Sequence, residues 1–162
     1  MLRLMIVACA GVLALASAGV AQGVDIEFGG LKADVSAPVE VTSDSLSIDQ
    51  KTSRALFTGN VVVTQGALTL TAGEVEVENS ADGAGVRQVI ARGGVLLVSG
   101  PDAAEAAEAV YTVESGDVVM TGDVVLTQGQ AAISGQKLVI NLTSGSGRME
   151  GRVTTTFLPA QN

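Results

Sequence analysis

Residues 54–64 alternate in the two-residue period of a β-strand. Ala55, Phe57, Gly59, Val61 and Val63 fall on one side, and Arg54, Leu56, Thr58, Asn60, Val62 and Thr64 on the other. The pattern returns further on, where Val118, Met120, Val124 and Leu126 oppose Val119, Thr121, Asp123, Val125 and Thr127. Near the end, Met149, Val153 and Phe157 oppose Arg148, Glu150, Arg152 and Thr156. Leu46 and Ile48, Leu68 and Leu70, Val75 and Val77, and Leu138, Ile140 and Leu142 extend the apolar side. Polar clusters at 49–53, 80–83 and 143–147 punctuate these runs as turns. The chain therefore reads as all-β, in repeated strand–turn–strand units.

An internal repeat organises the units. Residues 54–66 match 117–129 without a gap at a shift of 63 residues, and the match extends back to Leu46 over Ala109 and forward to Val77 over Ile140. Weaker copies begin at Ala91 and Met149, so Gly59, Gly93, Gly122 and Gly151 mark four units at spacings of 34, 29 and 29 residues. Alternation puts these glycines on the apolar side, where a missing side chain permits a sharp bend or close sheet approach. Long periods of this kind build stacked β architectures. The expected form is a two-sheet sandwich or rolled-over sheet with an elongated apolar interior. Residues 102–109, rich in Ala and Glu, have the composition of a helix. The repeat lays their second half over 42–46, so a strand is expected there.

The chain divides into four parts. Residues 1–21 have the layout of a cleaved secretory signal: Arg3, an apolar run from Leu4 to about Ala16, then small residues. Cleavage after Gly19-Val20-Ala21 leaves Gln22 first, and cleavage after Ala16-Ser17-Ala18 leaves Gly19. The apolar run is short for a membrane span, which takes about 20 residues. Residues 22–38 form an N-terminal segment, in which Val24 to Phe28 could be an edge strand and Gly29-Gly30 with Pro38 a connector. Residues 39–157 form the repeat domain, and 158–162 a tail. Cys9 lies early in the apolar run, where a lipidated cysteine would not, and it departs with the signal.

Charge and composition narrow the function. Seventeen Asp and Glu stand against nine Lys and Arg, an acidic balance unsuited to nucleic acid. Histidine is absent, and Cys9 is the sole cysteine, so Ser-His-Asp and Cys-His catalysis and zinc binding lack their groups. Glu74, Glu76 and Glu78 share one strand side and are the candidate acid–base carboxylates, yet such a row is the ordinary form of a solvated face. No Gly-Gly-x-Gly-x-Asp calcium run occurs. Arg87, Arg92, Arg148 and Arg152 read as scattered surface arginines. Neither an enzyme nor a cofactor or metal site is expected.

Residues 39–49 followed by 57–66, the second copy at 120–129, and 135–142 resemble the OstA-like family, the LptA-type lipopolysaccharide transport proteins of the periplasm. The likeness covers about residues 38–157 and departs from the family pattern around Glu105. It implies an open, twisted β-jellyroll that carries lipopolysaccharide from an inner-membrane ABC transporter to an outer-membrane translocon. Copies would stack head to tail, with lipid A shielded along the inner face. The residues expected to line that face are Leu46, Ile48, Phe57, Val61, Val63, Leu97, Tyr111, Met120, Val124, Leu126, Ile133, Ile140, Val153 and Phe157. The stacking edges are expected at Val39 and Val41, with Ile26 to Phe28 as the other candidate first strand, and at Val153, Thr155 and Phe157. The competing expectation is a structural β-solenoid or adhesin with no lipid ligand.

Overall fold

β-Branched residues and period-two alternation produce eleven strands: β1 (Val24–Glu27), β2 (Val39–Thr42), β3 (Ser45–Asp49), β4 (Arg54–Gln65), β5 (Leu68–Asn79), β6 (Val86–Ser99), β7 (Asp102–Thr112), β8 (Asp117–Gln128), β9 (Ala131–Asn141), β10 (Ser146–Glu150) and β11 (Thr154–Phe157). The computed structural model describes residues 23–27, 31, 34 and 36–159. The leader and its two cleavage sites, together with Phe28, Gly29 and Gly30, lie outside the described residues.

All eleven strands belong to one antiparallel sheet in the order β1-β10-β9-β8-β7-β6-β5-β4-β2, with β11 also on β9 and β3 also on β4. β7 confirms that the Ala/Glu segment is a strand; cross-strand pairing and burial of its alanines override helix propensity.

Each marker glycine opens a bulge. Gly59-Asn60, Gly93-Gly94 and Gly122-Asp123 oppose the single residues Gly73, Ala107 and Gln136 of the next strand, and Gly151-Arg152 separates β10 from β11. Both residues of every pair have positive φ, from 46° at Asn60 to 87° at Gly122. Three of the pairs place Asn, Asp or Arg second, and the two short polar residues tolerate that conformation best. Two of the four glycines do not sit on the buried side as alternation alone implies. Gly93 and Gly122 are exposed, because two successive left-handed residues turn the backbone out of the pleat.

The bulges align across the sheet and divide it into two halves. One half carries β3, β10 and β1, and the other carries β2 and β11. On β5 and β7 the alternation resets by one residue at this line, so that Val75 with Ala72, and Ala109 with Ala106, are buried alike. On β4, β6 and β8 the spacing is four: Phe57 to Val61, Ala91 to Val95, Met120 to Val124. One apolar face thus continues unbroken around the bend. Twenty buried apolar residues form a single cluster on it. No helix or second sheet is present among the described residues to cover them. The two halves of the one sheet must therefore face each other. The first and last strands do not pair with one another, which leaves an open, twisted β-jellyroll.

Candidate lipid trough and sheet edges

The fold turns the alternating residues of six long and several short strands into the lining of one trough. Its middle is aliphatic and buried. Val61, Met120, Val124, Leu126 and Ile140 are fully buried, and Leu97 and Ile133 nearly so. Phe57, Val63, Tyr111 and Val153 are partly buried and pack against that cluster. Burial pushes the Tyr111 hydroxyl above its ordinary pKa, as expected for a phenol on an apolar wall.

The remaining predicted lining residues lie at the two ends. Leu46 and Ile48 pair with Phe57 and Ala55, and so share the trough side, yet they are 52% and 67% exposed. Phe157 pairs with Ala131 and is 72% exposed. These positions have a strand neighbour on one side alone and nothing folded over them. The predicted edge residues Val39 and Val41 lie on β2, and Thr155 and Phe157 on β11, while Val153 precedes β11. The alternative first strand falls elsewhere. Val24–Glu27 pairs with β10, at the same end of the sheet as β11 and not opposite it.

The outer face differs sharply between the halves. On the β3 half, Arg54 pairs with Glu76 at 3.3 Å and Glu78 at 2.7 Å, and Arg87 also pairs with Glu78. Arg92 reaches Glu74 and Glu76 at 3.7 Å and Glu108 at 3.1 Å, and Arg148 reaches Asp25 at 3.2 Å and Glu150 at 3.4 Å. The glutamate row is therefore an ion-pair lattice and not a free solvated face; Glu78 is 7% exposed. Three of the four arginines read as scattered are likewise members of this lattice. The β2 half shows no such lattice among the described residues.

A shallow depression of about 680 Å³ lies on the outer face, lined by Asp25, Asp117, Val139, Asn141, Ser146, Gly147 and Arg148. Its polar groups already serve one another. Asn141 Nδ2 donates to Asp117 Oδ1 at 2.9 Å and to the Ser115 carbonyl at 3.0 Å. Among the described residues no cluster of three or more His, Cys, Asp or Glu is placed to hold a metal.

Residues 40–146 match the family model of the LptA/(LptD N-terminal domain) LPS transport protein. The chain belongs to this family. Its curated relatives include the lipopolysaccharide export system protein LptA of Haemophilus influenzae, 37% identical over 60 residues, which is 37% of this chain and 35% of that protein. An uncharacterized protein of Rhizobium meliloti is 41% identical over 80 residues, 49% of this chain and 43% of that one. The matched stretch thus spans less than half of either relative. Among solved structures, LptH of Pseudomonas aeruginosa is described as the LptA-homologous periplasmic component of the lipopolysaccharide transport device. It superposes with a TM-score of 0.70 at 23% identity, over 78% of this chain and 99% of that chain. The likeness confirms the LptA fold.

Two features of this LptA-family chain escaped the sequence reading. Leu31 is fully buried in the core cluster although it lies between Gly29-Gly30 and Pro38, which read as a connector. Ala104, Ala106 and Ala109 line the trough, where the helix-like composition of 102–109 masked their alternation.

Proposed function

We propose that this protein is a periplasmic carrier for lipopolysaccharide. Its trough shields lipid A acyl chains during passage from the inner-membrane ABC transporter to the outer-membrane translocon. The observation that carries this reading is the inner face itself: aliphatic, continuous around the bulge line, and exposed at both ends of the sheet. Exposing one acyl chain of a dozen methylenes to water costs on the order of 10 kcal/mol, at ~0.8 kcal/mol per CH₂. An apolar surface open at both ends offsets that cost for a chain in transit, and needs neither a reaction nor a cofactor. Copies stack head to tail through β11 at one end and β2 and β3 at the other, where unpaired backbone groups remain for strand addition. The leader is removed before Gln22, or before Gly19, and the mature chain comprises the segment 22–38, the domain 39–157 and the tail 158–162.

Native mass spectrometry of protein purified from its own periplasm tests the ligand, with a bound glycolipid expected. Val124→Asp and Leu126→Asp are expected to impair lipopolysaccharide binding and Val125→Asp, on the outer face, to be milder. Circular dichroism first establishes that each variant folds. Equal binding by folded variants of both faces would rule out the inner face as the lipid path.

A further inference from the structure

The two ends of the sheet match each other except for one strand. At the first end β2 and β3 both pair with β4, so the edge is flush across the two halves. At the last end β10 and β11 both pair with β9 and would also be flush, but β1 adds a strand to β10 alone. That end is therefore stepped by one strand, about 4.8 Å. A flush edge cannot meet a stepped one along both halves at once.

β1 also occupies the position that β3 of a following copy would take. β3 pairs Leu46 with Phe57, Ile48 with Ala55 and Asp49 with Arg54. β1 pairs Val24 with Met149, Ile26 with Gly147 and Glu27 with Ser146. Phe57 and Met149 each stand two residues before a marker glycine, and the other partners likewise stand four and five before it. Direction and register are thus the same, running from the bulge line toward the turns. The sequences correspond as well: Val24-Asp25-Ile26-Glu27 against Leu46-Ser47-Ile48-Asp49. With β1 removed, β10 would meet the next copy's β3, and β11 its β2, both antiparallel.

We propose that β1 is a built-in surrogate for β3 of a second copy. It caps half of the stacking edge and must be displaced before two copies join across both halves. Four residues hold it, Val24 and Asp25 are exposed, and its one described ion pair, Asp25 with Arg148, is solvent-accessible, so displacement is inexpensive. The cap keeps an exposed edge from indiscriminate pairing while leaving it available to a matching strand. This inference rests on the head-to-tail reading above.

The test uses one lock and one release in the mature protein. Asp25→Cys with Arg148→Cys places thiols on facing residues of β1 and β10, within disulfide reach. Asp25→Pro with Ile26→Pro removes two successive backbone N–H donors, one of which must point toward β10. Sedimentation velocity over a hundredfold concentration range reads self-association, and circular dichroism monitors the fold. The oxidised lock should associate at least tenfold more weakly than the unsubstituted protein and recover on reduction, and the proline variant at least tenfold more tightly. Equal association of the oxidised and reduced lock overturns the inference and leaves head-to-tail stacking in place. Absence of association in every form, the proline variant included, overturns both.

Discussion

A methyl group built on the α-carbon of Gly122 would lie 2.6 Å from the β-carbon of Ala107 on the neighbouring strand. The same approach recurs along the bulge line, with Gly93 over Gly73 and Gly151 over Gln136. The bend that turns one sheet into a trough therefore needs glycine twice over, for a φ of 87° and for space. Gly94 has a φ of 78° but nothing within 4 Å of its added methyl. Gly94→Ala should cost about 1–2 kcal/mol from backbone strain. Gly122→Ala should cost roughly 2–5 kcal/mol, because overpacking adds to the strain. Urea unfolding of the two variants measures the difference, and equal losses would show that close approach contributes nothing.

The same glycines show how far a sequence carries. Spacing located all four, and alternation placed Met120, Val124 and Leu126 on one wall, because both signals are local and periodic. Which way the glycines faced was not local: it depends on the left-handed pairs, and a period of two cannot express an extra residue. The pairing of Val24 with Met149 joins residues at opposite ends of the chain and leaves no trace in either segment. Exposure at Leu46, Ile48 and Phe157 was hidden for a related reason. Their side of the sheet is legible from alternation, but whether anything covers it depends on where the sheet ends.

Glu78 accepts from two arginines at once, Arg54 at 2.7 Å and Arg87, and is nearly buried between them. Glu74 meets Arg92 at 3.7 Å with far more exposure. Glu78→Gln should lower stability by about 1–2 kcal/mol, since charge-assisted bonds to a shielded group are lost. Glu74→Gln should stay within about 0.5 kcal/mol. Chemical unfolding at low and high salt distinguishes them, with the larger loss at low salt. A larger loss at Glu74 would contradict the view that Glu78 anchors the lattice.

Three turn carboxylates make stability depend on acid. The Ser36 hydroxyl and N–H hold Asp34 below its ordinary value of 3.8, the Lys51 and Thr52 N–H groups do so for Asp49, and Ser80 and Ala84 do so for Asp82. A depressed folded pKa means that the unfolded chain binds protons first as pH falls. The stabilisation is thus fully present above pH 3.8 and disappears as pH drops through the lowered folded values. Thermal midpoints should hold steady from neutrality to about pH 5 and fall below about pH 4. Asp49→Asn should reduce that fall. A midpoint that rises on acidification through this window would refute the linkage.

Leu31 is the chain's own aliphatic guest in the trough. Leu31 lies in the link between β1, whose Glu27 pairs with Ser146, and β2, whose Val39 pairs with Gln65. Along that link Leu31 is fully buried in the same cluster as Val124 and Leu126. Under the proposed carrier function, an acyl chain entering the trough would meet a site already filled by a leucine. Leu31→Ala should lower the stability of the ligand-free protein by about 2–5 kcal/mol, the usual cost of emptying such a site. The space left behind is apolar and suited to hydrocarbon, as apolar cavities made in this way stay dry and accept apolar guests. The same variant should therefore bind lipopolysaccharide at least as tightly as the unsubstituted protein, although it unfolds more easily. Opposite signs separate a displaceable guest from an ordinary core residue, whose loss would weaken both. Urea unfolding and equilibrium binding on one preparation decide it, and a parallel fall in stability and affinity would exclude the guest role.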